Sequence, residues 1–342
     1  MASSTAFSVC PHDCASACGL DVEMEADGRV GRVHGSKDNP YTAGVVCAKV
    51  ARYAERVHHE ERLTKPLRRK GKKSPTATRA DFEEISWDEA LDIVAERFTA
   101  AARKHGPETV WLYNYGGTMG LVQKGSTRHL RNAMGYSRQL DTICAWIFQQ
   151  GAKAGMGKML SVNPLEFRDS DLIVVWGSNP VHTQVNLMTH ISAARKERGA
   201  KLVVIDPYRS ATARLADTHL QLRPGTDGAL AAAVMHCLFR DGHADHEYMA
   251  EYTDDPAALE AHLKTRTPEW AAAITGLSAT EIEEFAQNYG ATQRALIRMG
   301  IGFTRSRNGA ANIHAVSSLP AVTGAWKYPG GGLYSATAGQ FP

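Results

Sequence analysis

The chain has 342 residues, 43% of them hydrophobic, and a formal net charge of +3. That length allows two or more packed units, and a charge so near balance gives no sign of a nucleic-acid partner. The longest apolar runs, such as Leu172–Trp176, are far too short to cross a bilayer, which excludes membrane insertion by a helix in this reading.

The opening MASSTAFSVC has no charged and apolar leader and no twin-arginine pair, so the expected location is cytoplasmic. Four of the six cysteines stand in the first 47 residues. A disulfide framework suits a small secreted domain rather than a long chain without a leader, so metal ligation is the better reading. In SVCPHDCASACG, three residues separate Cys10 from Cys14 and three more separate Cys14 from Cys18; Cys47 follows alone. Structural zinc favours two separated two-cysteine knuckles. One loop with three cysteines and a distant fourth is how a chain wraps a [4Fe–4S] cluster. Spacing favours the cluster and leaves zinc open.

Between the third and fourth cysteines, Leu20–Met24 and Arg29–His34 read as a hairpin turning at Asp27-Gly28, and Asn39-Pro40 as a turn before Gly44 and Cys47. The basic stretch Arg62–Arg79 reads as a solvated connector. ISWDEALDIVAERFTAAARKHG predicts an amphipathic helix: Ser86 and Glu89 form a capping box, Leu91, Val94 and Phe98 share a face, and Gly106-Pro107 stops it. TVWLYNYGG predicts a buried strand entering a glycine loop at Gly116-Gly117. Cys144, isolated on an apolar stretch ahead of Gly151-Ala152 and Gly155, reads by itself as a core cysteine.

SDLIVVWGSNP, QVNLMTHISAARKERG and AKLVVIDPYRS then read as strand, helix and strand, the helix stopped by Gly199. Such a unit binds ligands beyond the carboxyl ends of its parallel strands. Gly-x-Gly-x-x-Gly is absent after the first strand, and the nearest match, Gly300–Arg305, lacks the third glycine; a nicotinamide cofactor fits poorly. Donors of Gly177, Ser178 and Asn179 suit phosphates, and Asp206 suits a ribose or base. GALAAAVMHCLFRDG and LSATEIEEFAQNYG predict helices, the first burying Cys237 and the second capped by Ser278 and Glu281. His314 alone reads as a packed or surface histidine.

Cys10-Pro11-His12-Asp13-Cys14, Cys18, VEMEADGRVGRVHGSKDNPYTAGVVCAKV and RLTKPLRRKG resemble, in order, the start of a molybdopterin oxidoreductase. The likeness is to the iron–sulfur-containing branch of the dimethyl-sulfoxide reductase family, and to its amino-terminal half only. VVWGSNP and VVIDPYRSATARLADTHLQLRPGTDGAL resemble that family's segments for the guanosine halves of its molybdopterin guanine dinucleotides.

The resemblance implies an α/β chain: a small β-rich [4Fe–4S] domain over 1–61, the first part of a mixed α/β pterin-binding domain over 62–148, and a doubly wound, Rossmann-like dinucleotide-binding domain over 149–325. Residues 326–342 would begin the return to the pterin-binding domain, and the carboxy-terminal β-barrel is absent. It also implies a [4Fe–4S] cluster on Cys10, Cys14, Cys18 and Cys47, with Lys49 bridging cluster and pterin. The molybdenum or tungsten ligand would be Cys144, with Ser137 and Asp141 as rivals.

For bis-molybdopterin guanine dinucleotide the positions carried over are Trp176, Gly177, Ser178, Asn179, Asp206, Pro207, Arg209, Thr212, Pro224, Gly225, Thr226 and Asp227, with Gly300 and Gly302 as close-approach residues. Asp227 doubles as a helix N-cap. The family often has Asp-Pro-Arg where this chain has Asp206-Pro207-Tyr208-Arg209, which shifts the arginine by one. The implied activity is oxygen-atom, sulfur-atom or hydride transfer on a small molecule. Its implied partners are an electron-carrier protein or iron–sulfur subunit and the missing carboxy-terminal half. The alternatives are a non-redox hydratase or transhydroxylase of the same family, with Asp13 as candidate acid, or an electron-transfer scaffold without pterin.

Overall fold

A computed structural model describes residues 4–12, 14–114, 121–140 and 144–335, with backbone alone for 121–125. Asp13, Gly116-Gly117 and Asp141 lie outside the described residues. The described chain divides into two compact units: 4–12, 17–37, 46–114 and 121–140 in the first, and 14–16, 38–45 and 144–335 in the second.

The first unit opens on an antiparallel sheet of β1 (Ser4–Val9), β2 (Gly19–Met24) and β3 (Val30–Gly35). The expected hairpin is β2–β3. Its turn is set by Gly28 at φ +84° and by the Arg29 N–H donating to Asp27 Oδ1 at 3.0 Å. β1 was not foreshadowed in the sequence, for a physical reason: all six of its residues are exposed, so it pairs through backbone alone and shows no apolar alternation. Leu20, Val33 and Val50 pack with Cys10 and Cys18 into a small core beneath this sheet.

Part of the basic connector is structured. β4 (Leu67–Arg69) pairs antiparallel with β5 (Phe82–Glu84), and Arg68 bonds Glu83 and Glu89. The helix Trp87–His105 forms as expected, with Ser86 Oγ accepting from Glu89 N at 3.1 Å. Over 109–114, the described part of the strand expected at TVWLYNY, pairing reduces to one bridge between Trp111 and Ser137, and Trp111 and Tyr113 are exposed. An apolar run with no ladder partner gains nothing from extension.

The second unit is built on a parallel sheet of β6 (Leu172–Trp176), β7 (Lys201–Ile205), β8 (Thr218–Leu220), β9 (Ala295–Met299) and β10 (Gly332–Tyr334), in the order β10-β9-β6-β7-β8. Every residue of β6 is buried. Leu172, Val174 and Trp176 face one core, with Leu230, Val234, Phe285 and Ile313. Ile173 and Val175 face the other, with Leu187, Ile191 and Phe167. A sheet covered on both faces demands continuous apolar strands, and each side chain so buried contributes roughly 1.5–3 kcal/mol. The helix Val185–Arg198 ends at Gly199 in the left-handed region. Cys237 lies in the first of these cores, and burial pushes its thiol up to about 11.

The chain leaves β6 in one direction, through β7 to β8, then returns to place β9 on the other side of β6. The carboxyl ends of β6 and β9 therefore flank a reversal of strand order, the position where open parallel sheets leave a crevice. Among the described residues, no helix is long and apolar enough to cross a membrane.

Candidate cofactor sites

In the first unit, Cys10 and Cys18 are buried in the small core and Cys47 packs partly buried against it. The Cys10 N–H donates to the Cys18 carbonyl at 2.9 Å, closing the neck of the cysteine loop. Cys47 is the N-cap of the short helix Ala48–Ala51, which carries exposed Lys49. The Tyr53 hydroxyl and His12 Nε2 lie 2.6 Å apart, fastening that region to the loop. Cys14, with Ala15 and Ser16, belongs to the second unit.

None of the six cysteines is in a disulfide. Among the described residues no three His, Cys, Asp or Glu side chains converge closely enough to hold one metal ion. Four thiolates are the donor chemistry that an iron–sulfur cluster takes, one on each iron.

In the second unit, Cys144 is the N-cap of the helix Ala145–Met156, half-buried. That helix packs against Gly309–Val322 through small residues: a Cβ on Gly151 would lie 2.5 Å from the Ala310 carbonyl oxygen. The rival Ser137 belongs to the first unit, where its hydroxyl donates to the Glu108 carbonyl.

The dinucleotide positions follow the carboxyl ends of β6, β7, β8 and β9, and they do different work. The Gly177 N–H donates to the Ile205 carbonyl at 2.9 Å, which leaves that amide to the sheet rather than to a phosphate. Asn179 Oδ1 accepts from the Thr212 hydroxyl at 2.7 Å, and Thr212 Oγ1 accepts from Val181 N at 3.2 Å, so the loops after β6 and β7 brace one another. Asp206 is half-buried and its Oδ1 accepts from Tyr208 N at 2.9 Å. Burial pushes its carboxyl up, and the Tyr208 N–H works against that. The carbonyl of Pro207 accepts from Gln221, while Pro224, Tyr208 and Arg209 are exposed.

Trp176 is fully buried; its indole N–H donates to Asp227 Oδ1 at 2.8 Å. Asp227 is not the N-cap expected of it. Thr226 holds that place, its hydroxyl donating to the Arg223 carbonyl, and Asp227 turns inward to the indole. Asn308 and Asn312 each donate to the Gly225 carbonyl. Gly300 and Gly302 are close-approach residues, but toward the chain itself: a Cβ on Gly300 would stand 2.1 Å from the Gly177 carbonyl oxygen, and one on Gly302 2.6 Å from the same atom.

Little in the residue pattern foreshadows a buried polar network in this unit. Arg298, 6% exposed, sits in the otherwise apolar β9 and donates through Nε to Gln184 Oε1 at 2.9 Å, and to the Met299 carbonyl. Gln184 Nε2 donates to the hydroxyls of Tyr41 and Tyr334, both at 3.1 Å. The Tyr334 hydroxyl donates to the Ala15 carbonyl at 3.3 Å. His190 stacks on Tyr41 with ring centroids 5.0 Å apart, and its Nε2 donates to the Tyr41 carbonyl at 3.1 Å. An arginine interrupting ALIRM was the one signal in the sequence.

These are the features of a cofactor-binding α/β chain. The molybdopterin oxidoreductase pattern matches residues 62–339, and the molybdopterin oxidoreductase Fe4S4 domain pattern matches residues 4–59. The chain belongs to the molybdopterin oxidoreductase family, whose cofactors are a molybdopterin with its metal and a [4Fe–4S] cluster.

Among its relatives is "Probable oxidoreductase YoaE" of Bacillus subtilis, 39% identical over 97% of this chain and 48% of that protein. Another is the alpha subunit of F420-dependent formate dehydrogenase 1 of Methanococcus maripaludis, at 29% over 95% and 46%. Dimethyl sulfoxide reductase DmsA of Haemophilus influenzae is 30% identical over 93% and 44%. The solved structure of acetylene hydratase from Pelobacter acetylenicus superposes with a TM-score of 0.74 at 24% identity, covering 93% of this chain and 43% of that one; it shows the fold. The chain spans about half the length of the curated relatives it matches.

Proposed function

We propose that this chain is the amino-terminal half of a bis-molybdopterin guanine dinucleotide oxidoreductase that exchanges electrons with an external carrier through a [4Fe–4S] cluster. The observation that carries the reading is the match of both family patterns, consecutively and in family order, over 4–59 and 62–339. When bound, the molybdopterin and its metal supply two-electron chemistry on a small molecule, and the cluster carries single electrons.

The protein's part is to hold and orient. Cys10, Cys14, Cys18 and Cys47 would hold the cluster, Lys49 would help pass electrons between cluster and pterin, and Cys144 would bind molybdenum or tungsten as thiolate. The parallel sheet is a Rossmann-like dinucleotide fold. Its reversal point beside β6 receives a guanosine end between Ser178–Asn179 and Asp206–Thr212, with Pro224–Asp227 as the third wall. Trp176, Gly177, Gly300 and Gly302 shape this site through packing, because their indole, amide and Cα positions are already engaged within the chain. The remaining partners are the carboxy-terminal half and a redox protein, and the location is cytoplasmic.

The test is turnover of the complete enzyme with a one-electron dye as donor or acceptor, with C144A alongside. Turnover that requires the dye and disappears in C144A, iron content unchanged, supports the reading. Turnover without any donor or acceptor indicates hydration instead, and unimpaired C144A turnover removes Cys144 as the metal ligand.

A further inference from the structure

Arg298 is a buried cation with no carboxylate in ion-pair reach among the described residues. Its hydrogen-bond partners, the Gln184 amide and the Met299 carbonyl, are neutral. A charge left in that state is strongly unfavourable unless a counter-charge is at hand. The guanidinium lies 5.3 Å from the centre of the Tyr334 ring, and the Tyr334 hydroxyl donates to the Ala15 carbonyl, next to Cys14. Gln184 ties Arg298, Tyr41 and Tyr334 into one array on the Cys14–Ser16 segment. Burial holds the guanidinium below its ordinary pKa, and the groups that counter this are Tyr334, Tyr41 and Cys14. The two phenols are pushed upward, chiefly by burial, and stay neutral. The array therefore ends one residue from Cys14, a candidate cluster ligand, through the contact of Tyr334 with the Ala15 carbonyl.

We propose that Arg298 is the buried counter-charge of the Cys14 corner of the iron–sulfur cluster and raises the reduction potential of that cluster. The inference rests on the cluster assignment made above. Reduction adds one electron, and so one negative charge, to a centre already anionic through its thiolates. A fixed positive charge in a water-poor setting therefore stabilises the reduced form more than the oxidised one. Arginine suits the task because it keeps its proton at any pH an enzyme meets. Arg298 is accordingly a positioning and electrostatic residue, not a catalytic one.

The experiment compares the anaerobically purified chain with R298Q and R298K, measuring iron per chain and the cluster midpoint by a dithionite titration followed by EPR. R298Q is expected to keep its iron and to show about a tenfold lower reduced-to-oxidised ratio at a fixed ambient potential, roughly 59 mV for one electron. R298K is expected to stay within about threefold of wild type. A wild-type potential in R298Q overturns the proposal, and so does an equal shift in R298K, which would make geometry rather than charge the cause. If R298Q sheds iron, retention in R298K at the wild-type potential upholds the charge requirement; loss in both marks a packing residue and sinks it. Absence of iron from the wild-type chain would instead refute the cluster assignment itself, a distinct outcome.

Discussion

The indole N–H of Trp176 donates to Asp227 Oδ1 across 2.8 Å, joining the end of β6 to the first turn of the helix Asp227–Arg240. Both residues are buried. Two residues that the resemblance assigns to a ligand, one of them also expected as a helix cap, thus serve first to hold the two walls of the candidate nucleotide site together.

Burial pushes the Asp227 carboxyl above its ordinary value, and the indole hydrogen bond opposes this. A carboxyl raised in the folded state stabilises the fold below its unfolded pKa, and that contribution is lost as pH rises through the folded value. At pH 7 the anion is therefore a liability, and Asp227→Asn, which keeps an oxygen for the indole, should match or exceed wild-type stability by up to about 1 kcal/mol. The advantage should shrink toward pH 4. Trp176→Phe, which leaves Asp227 Oδ1 without the indole donor, should cost about 1–3 kcal/mol. Urea unfolding at the two pH values checks all three; a D227N variant clearly weaker than wild type at pH 7 contradicts the argument.

His190 gives a dependence of the opposite sign. Burial holds its imidazole below the ordinary histidine pKa. Its stabilising contribution is present above the unfolded value of 6.5 and is lost as pH falls from there toward the folded value. Thermal melts from pH 8 to pH 5 should show this loss. His190→Gln should flatten the slope while costing about 1 kcal/mol at pH 8 for the altered bond to the Tyr41 carbonyl. An unchanged slope in H190Q would place the titrating group elsewhere.

Much of the second unit was legible because its strands and helices obey local rules. LIVVW and KLVVI are continuous apolar runs, as a doubly covered parallel sheet requires, and Gly199 and the Ser278–Glu281 box mark helix ends in the sequence itself. What escaped had no local signature. β1 is wholly exposed, so nothing in its composition betrays pairing. TVWLYNY has strand composition, yet its described residues form no ladder, and Trp111 is 57% exposed. Asp227 has the residue type and position of a cap, yet a buried indole N–H, which must be satisfied, outbids the helix end for it. The array around Arg298 joins residues from 41, 184, 298 and 334, and only folding brings them together.

Gly300 is glycine because the Gly177 carbonyl lies where its Cβ would be, 2.1 Å away. Gly300→Ala must displace backbone, and should cost about 1–3 kcal/mol or more. Gly71→Ala, with nothing within 4 Å of the added methyl, should stay within about 0.5 kcal/mol of wild type. Melting temperatures of the two variants check the contrast; equal effects would mean that the loop after β6 yields freely.

The thiols should separate by chemistry. With its thiol pushed up to about 11 and its side chain in the core, Cys237 should resist iodoacetamide at pH 8 in the native metal-free chain. Half-buried Cys14, Cys47 and Cys144 should label faster, because reagent reaches them without opening the core. Peptide mass mapping of a time course reads this out. Rapid native labelling of Cys237 would contradict its placement.

The most direct test is iron, acid-labile sulfide and zinc measured on the anaerobically purified chain, with its visible spectrum before and after dithionite. The account predicts about four irons and four sulfides per chain and a broad brown absorbance that bleaches on reduction, all lost in C14A. One zinc per chain, no iron and a colourless protein would contradict it, and would leave Cys10, Cys14, Cys18 and Cys47 as a structural site that carries no electrons.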